Sequence, residues 1–132
     1  MSICTVSVAA GYTTDNTQKR IHLYGQLVIA GTVYPAGGIP LDSVLLALPG
    51  ITTNAGVKFF QAQSEFGSGY IYQRVRPSAT ADTGGVLMIL QVPPNGSLTT
   101  AAPLQQVPSS INTQGIVNDY INFHCTFNRN SI

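Results

Sequence analysis

Apolar and polar residues alternate with a period of two along several segments of this chain. In 119–129 the odd-numbered positions form one apolar face, which consists of Ile121, Phe123, Cys125 and Phe127. The even-numbered positions form a polar face, which consists of Asn122, His124, Thr126 and Asn128. Segments 4–8 and 20–30 show the same alternation. This pattern is typical of a strand that buries one face, so we predict a strand in each of these segments.

Three further strands are predicted in the middle of the chain. Segments 57–63 and 69–76 are separated by 64–68, which has the length of a hairpin loop. Segment 85–92 is apolar on both faces and is bounded by glycines and prolines at strand length. It is therefore predicted to be either a central strand or a strand whose outer face meets another protein.

Turn residues interrupt the chain so often that little helix is expected. Segment 41–48 is the exception, since its spacing is compatible with a single helical turn or a short strand, which Asp42 would cap. Segment 94–118 is polar and unusually long for a connection in a compact domain. We therefore predict an all-β fold: a single jelly-roll-like β-sandwich with long polar loops, which spans residues 1–132 as one domain.

The same alternation predicts the residues that form the hydrophobic core. These are Ile21, Leu23, Leu27, Ile29, Phe59, Ile71, Leu87, Ile89, Ile121, Phe123 and Phe127.

Charged residues make up only 8% of the chain, against roughly 25% in an ordinary soluble domain. The longest wholly apolar run, 86–90, is far shorter than the roughly 20 residues that a membrane helix needs. The net charge is +1, and the basic residues are too scattered for a nucleic-acid interface. We therefore expect no membrane and no nucleic-acid partner. A nearly uncharged surface favours association, so we expect a homo-oligomer, a dimer or a trimer.

The titratable residues do not form a recognisable catalytic or metal-binding pattern. The carboxylates are dispersed, most of them in predicted turns, and His22 and His124 fall on the polar faces of their strands. The predicted strands do not exclude a catalytic pair of Cys125 and His22. We expect no enzymatic activity, no cofactor and no metal.

The cysteines leave two interpretations open. Residues 1–10 lack the features of a signal peptide, so we favour two free thiols in a reducing compartment. The alternative is a clasp between Cys4 and Cys125, which requires the first and last strands to be neighbours.

A row of tyrosines and arginines is the best candidate for a contact surface. Tyr70, Tyr72, Arg74 and Arg76 are predicted to share one strand face, and both residue types are enriched at protein interfaces. The alternative is a row of half-buried sheet residues that are covered by the arginine stems. The segment around Tyr12 and the loop 94–118 are the other predicted contacts, with mobile loops as the alternative.

The segment Tyr34-Pro35-Ala36-Gly37-Gly38-Ile39-Pro40-Leu41-Asp42 resembles the "Y-x-x-GG-x-P-L-D" stretch of small structural proteins of tailed bacteriophages. In those proteins it is followed by an aromatic strand, a "G-Y-x-Y" hairpin and a strand that opens with glycine. The matching segments here are 57–60, 69–72 and 85–88, so the resemblance covers residues 20–92. The proline-rich stretch 93–110 departs from the pattern.

The resemblance implies a capsid decoration, or cement, protein that acts without catalysis or cofactor. Its partner would be the major capsid protein, whose neighbouring subunits it would bridge, and it would lie on the capsid surface of a virion assembled in the host cytoplasm. The alternative is a tail or fibre component with a receptor- or carbohydrate-binding face made by Tyr70 and Tyr72.

Overall fold

The computed structural model describes residues 2–17, 19–35, 37–49, 51, 57–65, 67–78, 84–91, 105–108 and 113–128. Most of the elements in this part of the chain are strands: β1 (Thr5–Val8), β2 (Thr13–Asn16), β3 (Arg20–Ala30), β4 (Ile39–Pro40), β5 (Val57–Ser64), β6 (Ile71–Val75), β7 (Val86–Gln91), β8 (Gln105–Gln106) and β9 (Ile121–Asn128). The helices are α1 (Asp42–Leu46) and α2 (Gln114–Val117). The strands form two antiparallel sheets, which confirms the all-β prediction, while the jelly-roll arrangement and the single domain stay predictions.

The larger sheet is built around β3 and β9. These two strands pair antiparallel along 20–27 and 121–128, and β5 pairs with the other edge of β9. The long β3 is paired on its remaining edge by two short strands in succession, β2 along 21–24 and β1 along 27–30. All five strands are joined by antiparallel pairing, so directly opposed residues lie on the same face of this sheet.

The smaller sheet is centred on β7. On one side β7 pairs with β6, and on the other side it pairs with the short strands β4 and β8. Between those two short strands the backbone N–H of Ile89 donates to the Tyr34 hydroxyl at 3.2 Å. The Ile89 carbonyl accepts from the backbone N–H of Val107 at 2.9 Å. The central-strand interpretation of 85–92 is therefore confirmed.

Both sheets contribute to one hydrophobic cluster. The predicted core residues that are buried in it are Ile21, Leu23, Leu27, Ile29, Leu87, Ile89, Ile121, Phe123 and Phe127. The prediction was wrong for Phe59, which is 46% exposed, because a register shift between Val57 and Phe59 turns Phe60 inward in its place. It was also wrong for Ile71, which is 43% exposed, because the neighbouring Tyr72 occupies the inward position of β6.

The predicted hairpin between 57–63 and 69–76 does not exist. The strand β5 pairs with β9, whereas β6 pairs with β7, so the connection between them passes from one sheet to the other. Gly67 and Gly69 have φ of 65° and 90°, a backbone region that favours glycine and that allows the chain to change direction there.

The helices of the described residues are short. The helical alternative for 41–48 is confirmed by α1, but Asp42 does not cap it: Leu41 is the N-cap residue and has no side-chain capping bond. Neither helix in the described ranges is long and apolar enough to cross a membrane.

Candidate binding face

Two of the predicted contact residues, Tyr72 and Arg74, point into the molecule. Tyr72 is only 4% exposed, and its hydroxyl donates to Asp119 Oδ2 at 2.7 Å. Arg74 donates from Nε and Nη2 to the two carboxylate oxygens of the buried Asp42, at 2.8 and 2.6 Å. Their partners therefore lie within the chain, as in the half-buried interpretation, and we no longer propose either residue as a contact.

Asp119 joins the connection between the two sheets to the start of β9. Besides the Tyr72 hydroxyl, it accepts hydrogen bonds from Ser64 Oγ at 2.6 Å and from Ser68 Oγ at 2.8 Å. Burial raises the pKa of the Tyr72 hydroxyl, and the hydrogen bond to the Asp119 carboxylate raises it further. Tyr72 therefore remains a protonated donor at neutral pH, and the cluster holds the β5–β6 connection in place.

The ion pair between Asp42 and Arg74 lies against Gly85, the glycine that opens the last strand of the resemblance. A Cβ atom at position 85 would lie 2.7 Å from Arg74 Nε and 2.8 Å from Asp42 Oδ1. The Gly85 carbonyl also accepts the backbone N–H groups of Leu41 and Asp42, both at 3.2 Å. This position therefore requires glycine because a side chain would displace the ion pair.

Both cysteines are free and buried, as the favoured interpretation predicted. Burial raises the pKa of the Cys4 thiol, and it raises the pKa of the Cys125 thiol to about 12. Thiols with such pKa values are poor nucleophiles. Cys125 faces the core whereas His22 lies on the outer face of the sheet, so the pair that the sequence left open is not formed.

The other predicted contact residues differ in how far they are buried. Tyr12 is half-buried against the core, and its hydroxyl donates to the Pro49 carbonyl at 3.0 Å. Tyr70 also packs partly against the core, while Arg76 is exposed. The contact roles of Tyr12, Tyr70 and Arg76 stay predictions.

The described parts of the two predicted contact segments, around Tyr12 and in 94–118, are tied to the rest of the fold. In 94–118 the described ranges are 105–108 and 113–118, and they bury Val107 and Ile116. In 11–20 the strand β2 pairs with β3. The remainder of 94–118 lies outside the described residues.

The outer surface of the larger sheet carries a cluster of rings that we call the aromatic face: His22, Tyr24, Phe59 and His124. Tyr24 on β3 lies directly opposite His124 on β9, and their rings stack at 4.4 Å between centroids with an interplanar angle of 9°. The Phe59 ring packs on His124 at 5.6 Å and 60°. Tyr24 is 42% exposed, so both Tyr24 and Phe59 present ring area to solvent.

The two histidines of the aromatic face are hydrogen-bonded to each other. His22 Nδ1 and His124 Nε2 are 3.3 Å apart, and the two rings are inclined by only 20°. Such a bond needs one nitrogen to donate and the other to accept. Burial lowers the pKa of His124, and the neighbouring His22 lowers it further, so the neutral imidazole is favoured at that position.

A set of amide side chains continues the aromatic face along the same sheet; we call it the amide row. Gln26 Nε2 donates to Asn122 Oδ1 at 3.3 Å across β3 and β9. Gln61 lies opposite His124, and Gln63 lies opposite Asn122. A shallow cavity of about 260 Å³ runs along this border and is lined by Gln61, Ala62, Gln63, Asn122, Phe123 and His124.

Sequence reasoning missed this face because its parts are far apart in the chain. Alternation correctly placed His22, Tyr24 and His124 on the polar sides of their strands. No local signal shows which strands pair, or in which register, so the stacking of Tyr24 on His124 was not predictable from either segment.

In the described ranges, no group of three or more histidine, cysteine, aspartate or glutamate side chains is placed to hold a metal ion. Comparisons with family models, with curated proteins and with solved structures find no significant match. The resemblance to phage decoration proteins therefore stays a prediction.

Proposed function

We propose that this chain is a non-enzymatic structural protein of a virion, which decorates the capsid and cements neighbouring major capsid subunits. The proposal rests on a difference between two sets of polar groups in the chain. Two pairs of buried or half-buried groups, Asp42 with Arg74 and Tyr72 with Asp119, are hydrogen-bonded within the chain and hold the fold. Along the rows through Tyr24 and Gln26, the outer surface of the larger sheet instead presents uncharged aromatic and amide groups, which suit binding rather than catalysis.

The charge-poor composition and the resemblance over residues 20–92 support a place inside an assembly. A cement protein contacts several subunits at once, so individually weak contacts add up through effective concentration. For the capsid-facing contacts we retain Tyr12, Tyr70 and Arg76, together with the loop 94–118, part of which lies outside the described residues. We also expect a dimer or a trimer, because the outer side of β7 carries the half-buried Val86, Met88 and Leu90.

The first test is the copy number of the chain in purified particles of the phage that encodes it. Quantitative mass spectrometry should find hundreds of copies per particle. A few copies to a few dozen would favour the second candidate, a tail or fibre component with a receptor-binding face, which the exposed rings of Tyr24 and Phe59 support. Absence from the particle would contradict both.

The second test addresses the capsid contacts. The double variant Tyr70→Ala, Arg76→Ala should bind shells that lack the protein more weakly than wild type does. Because Tyr70 packs partly against the core, binding is measured well below the melting temperature of the variant. Gln73→Ala, an exposed change on β6, the strand that lies between these two residues, is the matched control. If both variants bind like wild type but a variant with a shortened loop 94–118 does not, the attachment lies in that loop and not at Tyr70 and Arg76.

A further inference from the structure

We propose that the aromatic face and the amide row together bind a neutral carbohydrate, such as an uncharged hexose polymer. This inference does not depend on whether the chain belongs to the capsid or to the tail. It assigns a ligand class to the outer surface of the larger sheet, whereas the capsid contacts proposed above lie on the N-terminal segment, at the two ends of β6 and in the loop 94–118.

The rings supply a platform for the apolar side of a sugar. One face of a pyranose carries mainly C–H groups, which pack on the electron-rich face of an aromatic ring and remove apolar area from water. Tyr24 and Phe59 are both nearly half exposed, and both rings are packed against His124. Because the packing already restricts these side chains, little rotamer entropy remains to be lost on binding.

The amides supply partners for the hydroxyl groups. A sugar hydroxyl both donates and accepts, and a carboxamide offers both roles on one side chain. Gln61 and Gln63 are exposed on β5 beside the shallow cavity, and Asn122 is held in place by its bond to Gln26. Hydroxyl recognition is thus placed next to the stacking platform, on one flat sheet rather than on separate loops.

The charge of this surface selects against acidic ligands and in favour of neutral ones. The cross-strand row through Tyr24 consists of Thr13, Tyr24, His124 and Gln61. The row through Gln26 continues with Asn122 and Gln63. Neither row contains a lysine, an arginine or a carboxylate, and the lowered pKa of His124 keeps its ring neutral. The next row, through His22 and Phe59, holds the carboxylate of Asp15. A phosphate or a uronic acid would therefore meet no cation in the two uncharged rows and a like charge beside them, whereas a polyol needs no counter-charge.

Affinity electrophoresis of the purified chain tests the proposal. The gels would contain dextran, mannan or a neutral galactan, with alginate as the acidic comparison. At least one neutral polymer should retard the wild-type protein, and alginate should not. Tyr24→Ala should raise the apparent Kd at least about tenfold, the effect expected for a central aromatic contact. Gln61→Ala should raise it less, and Tyr24→Phe should retain most of the binding.

The matched control is Val28→Ala, which changes an outward-facing, similarly exposed residue of the same strand away from the rings. It should bind like wild type. Because Tyr24→Ala is a surface change, the variant should melt close to the wild-type temperature. An unchanged melting temperature then shows that a loss of binding is not caused by unfolding. No retardation of wild type by any neutral polymer, or equal retardation of Tyr24→Ala and Val28→Ala, would overturn the proposal. Neither result affects the copy number in particles, so the capsid proposal is judged separately.

Discussion

The two faces of β9 show how one strand serves two purposes. Its inward residues, Ile121, Phe123, Cys125 and Phe127, are all buried and contact the apolar cluster shared by both sheets. Its outward residues include Asn122, which is bonded to Gln26 of β3, and His124, which packs on rings from β3 and β5. The inward face needs only apolar groups of suitable size, whereas the outward face depends on which side chain lies opposite which. We therefore expect changes on the inner face to alter stability and changes on the outer face to alter binding.

The largest expected effect comes from removing a buried ring. Phe127→Ala should lower the free energy of unfolding by about 3–5 kcal/mol, because it removes apolar burial and leaves a cavity. Phe59→Ala removes the same side chain from the outer face, where it is partly exposed, and should cost less than about 1 kcal/mol. Urea denaturation of both variants measures the contrast. Similar losses for the two would show that the faces are not energetically distinct.

Tyr72→Phe tests how much a buried hydrogen bond of the interior contributes to stability. The variant keeps the ring but removes the hydrogen bond to the Asp119 carboxylate, so the free energy of unfolding should fall by about 1.5–3 kcal/mol. Tyr12→Phe is the matched change, since it removes a bond to the neutral Pro49 carbonyl in a more exposed place and should cost about 1 kcal/mol or less. If Tyr12→Phe lowers the free energy of unfolding more than Tyr72→Phe does, the hydrogen bonds to Asp119 do not hold the connection between the sheets.

His124 on the outer face should make stability depend on pH. The pKa of His124 is lower in the folded chain than its ordinary value near 6.5, so the unfolded chain binds more protons below that pH. Stability is therefore full above about pH 7 and declines as the pH falls through 6.5 towards the folded pKa.

The free energy of unfolding, measured between pH 7.5 and 5.5, should show this decline for wild type and a smaller one for His124→Gln. His22 and Asp15 lie in the neighbouring row and remain in both proteins, so the difference between the two slopes reports His124 together with its contact to His22. Identical slopes would contradict the assigned direction.

The smallest expected effect concerns Thr126, the outward residue of β9 that is nevertheless buried. Among the described residues its Oγ1 has no hydrogen-bond partner. Replacing that hydroxyl by a methyl group in Thr126→Val removes an unsatisfied polar atom at nearly constant shape, so stability should stay the same or rise by up to about 1 kcal/mol. Thermal denaturation measures this change, and a clear loss of stability would indicate that the hydroxyl has a partner.

Much of the fold could be anticipated from the sequence, because the alternation of apolar and polar residues is a local property. It located the strands of 20–30, 85–92 and 119–129 and most of the side chains that they bury. It did not show the register shift that turns Phe59 outward, since a bulge depends on how β5 meets β9. Nor did it show that Tyr72 turns inward, because Asp119, the group that satisfies its hydroxyl, lies 47 residues away.

Even less of the candidate binding face could be predicted from the sequence. Tyr24 and His124 are about a hundred positions apart in the chain, and only the register between β3 and β9 places one opposite the other. Alternation specifies which residues share a face of their own strand. Which faces adjoin, and which side chains then touch, is set by long-range pairing, where hydrogen bonding and apolar burial must be satisfied throughout the molecule at once.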